Sequence, residues 1–134
     1  MHDRIIGADL PSTQALAYLG DAAYSLYVRR MLVAKGLSKA KDLNRETLKY
    51  VTAEAQAQMY RKIEHLLLDD EREVFRRAAN STHLNRPKHA SVTDYRYATG
   101  FEAVVGMLTW IGDEERLKAL LDAAHMEENN DTED

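Results

Sequence analysis

Hydrophobic positions along the chain recur at helical spacing. Between Pro11 and Gly36 a stripe runs through Leu16, Leu19, Ala23, Leu26 and Ala34, with Arg30 its polar member, and steps of three and four residues trace one face of a helix. Pro11-Ser12-Thr13 supplies a start, with Ser12 or Thr13 as cap, and Lys35-Gly36 a stop. Gly20 interrupts the pattern, which marks either a close backbone approach or a joint between two helices.

Further on, Asp42 or Asn44 can cap a helix from Arg45 to about Tyr50, and strong helix formers continue from Val51 to about Leu68 after a break near Tyr50 to Thr52. Asp69-Asp70 can cap the next helix, Glu71 to about Asn80, with acids in the first turn as the helix dipole favours. Residues 81 to 91 have no period and contain Pro87, so they read as a polar loop. Ser91 or Thr93 can cap a helix to about Ile111, and Gly112-Asp113 separates it from an amphipathic helix carrying Leu117, Leu120, Leu121 and Ala124. No strand, hairpin or repeat stands out. An all-α fold is predicted, with an arm over residues 1–10, a domain over 11–126 and an acidic, frayed tail over 127–134.

Composition narrows the class. A chain of 134 residues, 45% hydrophobic and 30% charged, suits one helix-rich domain. With no cysteine, disulfides and thiolate metal sites are excluded. Neither a signal-like start nor a membrane-length apolar run is present, so no membrane partner is expected and the predicted setting is cytoplasmic. The formal charge of −4 conceals a basic segment. Arg72, Arg76, Arg77, Arg86, Lys88 and Arg96 cluster with His83 and His89 against Glu73 and Asp94. Arg76, Arg77, Arg86, Lys88 and Arg96 are candidate phosphate contacts, the alternative being a solvated face. Met31, Met59 and Met107 read as core fillers.

Two solitary acids carry the candidate chemistry. Asp21 is the only charged residue from Ala15 to Val28, and Glu102 the only acid from Tyr97 to Gly112. A buried carboxylate must be paired, hydrogen-bonded or metal-bound. Each has glycines nearby, Gly20 for one and Gly100 and Gly106 for the other, so packed helices can bring both carboxylates to one gap. Hard oxygen ligands with room for water suit Mg²⁺, or Mn²⁺ in its place. The structural alternative, a helix cap or a core arginine pair, stands equally open on spacing alone.

Leu16-Ala17-Tyr18-Leu19-Gly20-Asp21-Ala22-Ala23-Tyr24 resembles the signature helix of the ribonuclease III catalytic domain, and Phe101-Glu102-Ala103-Val104-Val105-Gly106 resembles that domain's second acidic motif. Tyr95-Arg96-Tyr97-Ala98-Thr99 before it, and the short length, are similar to Mini-III, the minimal bacterial branch of the family. The likeness covers about residues 11 to 122. It implies an all-helical homodimer that cuts both strands of duplex RNA to 5′-phosphate and 3′-hydroxyl ends. The implied substrate is 23S ribosomal RNA precursor, with a ribosomal protein as a further candidate partner.

Asp21 and Glu102 map onto the family's catalytic, metal-binding acids. Positions that carry helper carboxylates in the wider family hold Ala17 and Thr99, so the resemblance implies a sparse site, as in Mini-III. Arg77-Ala78-Ala79-Asn80 is less basic than the Mini-III form. With no appended RNA-binding domain, the basic segment must hold the duplex itself. The competing class is a helical RNA- or ribosome-binding module without catalysis. An all-α nucleotide pyrophosphohydrolase is remote, since its paired acids would have to come from Glu127-Glu128.

Overall fold

The computed structural model describes residues 10–81 and 90–130. Within them the chain forms α1 (Thr13–Ala34), α2 (Ala40–Val51), α3 (Ala53–Ile63), a 3-10 turn (Glu64–Leu66), α4 (Asp69–Asn80), α5 (Val92–Ile111), α6 (Glu114–Ala124) and α7 (Met126–Asn130). No strand occurs among the described residues, as the apolar spacing predicts. The arm over 1–9, the loop residues 82–89 with Arg86 and Lys88, and the end of the tail over 131–134 lie outside the described residues.

Local chemistry sets the helix ends. Ser12 Oγ accepts the Ala15 N–H at 3.1 Å, Ser91 Oγ the Asp94 N–H at 3.0 Å, and an Asp113 carboxylate oxygen the Arg116 N–H at 3.1 Å, so each satisfies an otherwise orphaned donor. At the other ends of α1 and α5 the chain turns through Gly36 and Gly112 at φ +96° and +77°. The Leu37 and Asp113 N–H groups then bond back to the Leu32 and Leu108 carbonyls, which closes both helices in Schellman fashion.

Three expectations are corrected. The helix expected from Arg45 begins at Ala40, capped by Lys39 without a side-chain bond, and Asp42 lies in its first turn. Asp69 and Asp70 also sit inside their helix, because Leu68 takes the cap position and Glu71 reaches back to the Leu68 N–H at 2.9 Å. The stripe on α1 is rotated. Its buried residues are Leu16, Gly20, Tyr24, Val28, Met31 and Leu32, while Leu26 is 56% exposed. A helix this apolar on several faces gives periodicity little to discriminate.

The core forms around α5, which packs against α1, α3, α4 and α6. From Phe101 to Leu108 every α5 residue except Glu102 is buried, and Met31, Met59 and Met107 are core residues as expected. Phe101 meets the Tyr24 ring edge-on at 5.1 Å between centroids, and Tyr60 stacks on Phe75 at 3.9 Å. One ion pair is built into the interior. The Glu71 side chain is fully buried and takes bonds from Arg116 Nε and Nη2, both at 2.9 Å, so the start of α4 is tied to α6.

Candidate active site

Asp21 and Glu102 are brought together by a backbone crossing. A Cβ placed on Gly20 would stand 1.7 Å from the Glu102 carbonyl oxygen, and one on Gly106 1.8 Å from the Leu16 carbonyl oxygen. Only hydrogen fits at either position, so α1 and α5 touch main chain to main chain. Of the two readings of Gly20, close approach is therefore the correct one, since α1 runs unbroken from Thr13 to Ala34.

Asp21, the next residue on α1, is solvent-exposed, which corrects the expectation of a buried charge there. The carboxylate in the costly position is Glu102. Burial first, then a hydrogen bond that the protonated Glu102 carboxyl donates to the Asp21 carboxylate and the negative charge of that carboxylate, push its pKa up to about 8. The Gln56 amide, donating to Glu102 Oε2 at 3.2 Å, works in the opposite direction. Among the described residues no cation offsets the shift, and none of their arginines pairs with Glu102 as the core-arginine alternative requires.

The positions next to the acids are occupied otherwise. Ala17 offers no polar group, and Thr99 Oγ1 donates to the Tyr95 carbonyl at 3.0 Å, one turn back on α5. Among the described residues no group of three or more His, Asp or Glu gathers to hold a metal. What the crossing brings together is a pair of carboxylates.

Two features of the site escape the sequence reading. Gln56 is one: it is 2% exposed, its Nε2 also donates to the Val51 carbonyl at 3.0 Å, and its Oε1 is buried without a partner. An orphan acceptor of that kind costs about 1–3 kcal/mol. The other is a groove of about 410 Å³ between α1 and α2, lined by Asp21, Ser25, Arg29, Asn44, Thr47 and Val51 among others. Arg29, whose Nε donates to Ser25 Oγ at 3.2 Å, faces the same groove as Asp21. Arg29 lies two helical turns beyond Asp21, a spacing legible in the sequence once Asp21 is taken as the reference.

The basic candidates divide. Arg76 is exposed and forks onto Glu73 at 2.7 and 3.2 Å, while Arg77 is exposed on the last turn of α4. Arg96 donates through Nε to the Ala79 carbonyl at 3.0 Å and through Nη2 to Asn80 Oδ1 at 2.8 Å, so it also fastens α5 to the end of α4.

The chain has counterparts among known proteins. A family model for the ribonuclease III domain matches residues 14–112. The chain is 45% identical over 111 residues to a Mini-ribonuclease 3 of Thermoanaerobacter sp. (strain X514), covering 83% of this chain and 78% of that one. It is 41% identical over 119 residues to the Mini-ribonuclease 3 of Streptococcus pneumoniae, covering 87% and 93%. A crystal structure of a Fusobacterium nucleatum protein superposes with a TM-score of 0.80 at 29% identity, covering 90% of this chain and 96% of that one. The chain therefore belongs to the ribonuclease III family, on its Mini-ribonuclease 3 branch, and is an endoribonuclease.

Proposed function

We propose that the protein is a Mg²⁺-dependent endoribonuclease that cuts both strands of duplex RNA, with 23S ribosomal RNA precursor as its substrate. The observation that carries this reading is the juxtaposition of Asp21 and Glu102 at the α1–α5 crossing. Two carboxylates in hydrogen-bond contact, one with a pKa near 8, share a proton at neutral pH, and a hard divalent cation takes the place of that proton. The all-oxygen donor set fits Mg²⁺ or Mn²⁺. Two protein carboxylates leave further ligand positions to water and phosphate.

Asp21 and Glu102 hold the cation, which when bound supplies the Lewis acidity for water activation and for charge on the leaving 3′ oxygen. Asp21, being exposed, presents its carboxylate to the RNA backbone, while Glu102 anchors the site from the core. Arg29 borders the same groove and offsets the charge of an entering phosphate. Duplex RNA is read by shape, phosphates and 2′-hydroxyls, a task for Arg76, Arg77, Arg86, Lys88 and Arg96, with Arg96 using the donors that Ala79 and Asn80 leave over.

Cutting both strands calls for two sites. A homodimer supplies them, and α1 offers an apolar outer surface with Tyr18 84% and Leu26 56% exposed. A cytoplasmic setting and a ribosomal-protein partner accord with this substrate. The test is incubation of long duplex RNA and of a 23S precursor fragment with Mg²⁺ and wild type, Asp21→Asn or Glu102→Gln protein. Cleavage to 5′-phosphate ends by wild type alone is expected. Duplex binding without any cutting by wild type would establish the non-catalytic module instead, and normal cutting by both variants would remove the acids from the site.

A further inference from the structure

Gln56 sits where packing alone asks for an apolar residue. Its neighbours on the inner face of α3 are Ala55, Ala57, Met59, Tyr60 and Ile63, and a Leu or Met fills the same volume without burying an amide. The fold instead accepts an Oε1 that has no partner and engages both protons of Nε2, one on the Val51 carbonyl at 3.0 Å and one on Glu102 Oε2 at 3.2 Å.

The direction of the amide follows from those partners. Val51 is the last residue of α2, and its carbonyl can only accept, so the amino end of Gln56 must face it. The second proton on that nitrogen is then committed to Glu102. The α2–α3 junction therefore reaches across to α5 and grips one oxygen of the carboxylate.

We propose that Gln56 is a positioning residue, which holds the Glu102 carboxylate in the orientation that lets it share a divalent cation with Asp21. This rests on the reading of Asp21 and Glu102 as the cation's protein ligands. Without the Gln56 N–H, Glu102 keeps only the proton it shares with Asp21, the contact that the cation replaces, so no protein group holds its orientation once that proton leaves. Each binding event must then reorder it. Partners that orient ligands in this way change metal affinity by roughly 10–100-fold when removed.

The experiment compares wild type with Gln56→Met, an apolar residue of similar length, using Glu102→Gln as reference. Three quantities are measured: Mn²⁺ affinity of the RNA-free protein by calorimetry, Mg²⁺ half-saturation of single-turnover duplex cleavage, and thermal unfolding in chelator. Gln56→Met is expected to weaken Mn²⁺ binding and raise the Mg²⁺ half-saturation by about tenfold, with its rate at saturating Mg²⁺ within about threefold of wild type. A folded Gln56→Met protein with unchanged Mn²⁺ affinity and Mg²⁺ half-saturation overturns the proposal, because a purely structural role alters melting alone.

A second measurement needs no variant at position 56. The side-chain amide resonance of Gln56 should shift as Mg²⁺ is added to wild type and stay fixed in Glu102→Gln, and a resonance indifferent to Mg²⁺ in wild type counts against the proposal. The underlying reading fails separately, if Glu102→Gln binds Mn²⁺ as wild type does.

Discussion

Gly20 rests on the carbonyl oxygen of Glu102, 1.7 Å from where a Cβ would have to stand. The contact aligns the residue after Gly20 with the side chain of Glu102, so two backbones and not two side chains set the spacing of the acids. Gly20→Ala should destabilise the protein by about 3 kcal/mol or more through overpacking against main chain. Cleavage should fall with the folded fraction in a urea titration. Gly106→Ala should behave alike, since its Cβ meets the Leu16 carbonyl oxygen at 1.8 Å.

Glu102 should be a stability liability in the absence of metal. Its carboxyl releases its proton near pH 4.5 when unfolded and near pH 8 when folded, so between these values the native state binds more protons and stability falls as pH rises. In chelator at pH 8, Glu102→Gln should therefore be more stable than wild type by about 1–3 kcal/mol. If Asp21 and Glu102 hold Mg²⁺ as proposed, the added ion should narrow or reverse the gap by binding the wild-type native state. Chemical denaturation at pH 5 and pH 8, with and without Mg²⁺, checks both signs.

His125 should give the opposite slope. Its fully buried ring bonds Tyr24 Oη at 3.1 Å, and Nδ1 faces Glu128 Oε1 at 3.9 Å with neither atom hydrogen-bonded. Burial first, then the charge of Lys62, pulls its pKa from 6.5 down to about 4. Between those values the unfolded chain takes up the proton first, so stability is lost as pH falls from 6.5 to 4. His125 by itself should contribute a loss of about 2–3 kcal/mol over that window, against the opposite contribution of Glu102, so His125→Gln, with nothing to titrate there, should gain stability relative to wild type as pH falls in urea unfolding.

Arg86 and Lys88 should be read through salt. If each meets a phosphate, replacing both with alanine weakens duplex binding and lowers the slope of log affinity against log salt by about 2. A binding titration between low and moderate salt measures this. An unchanged slope assigns the duplex to other residues, Arg29 and Arg77 first among them.

Much of the fold was legible because the helix signals are local. Ser12 and Ser91 stand where caps belong, Gly36 and Gly112-Asp113 where helices stop, and α5 is so apolar that only a central position suits it. Less was legible where a property depends on which face meets a neighbour. The rotated stripe of α1, the exposure of Asp21 and the burial of Glu71 follow from packing partners far away in the chain. The pairing of Asp21 with Glu102 was suggested by composition and by family likeness. Gln56 was invisible because a glutamine in a helix is ordinary, and only the contact across to α5 distinguishes it.

The Arg116–Glu71 clasp carries a consequence for the order of synthesis. Glu71 is fully buried and Arg116 is its cationic partner, and taking the cation away from a buried carboxylate is strongly destabilising. While residue 116 is still inside the ribosomal tunnel, Glu71 has the Leu68 N–H but lacks the Arg116 fork, and the partner of Tyr24 at His125 is also missing. The chain that carries both acids by residue 102 is thus not a finished nuclease at that length. The helices that follow residue 102 are therefore part of the core, with Leu120, Leu121 and Ala124 of α6 buried in it, and no mere appendage to the two acids.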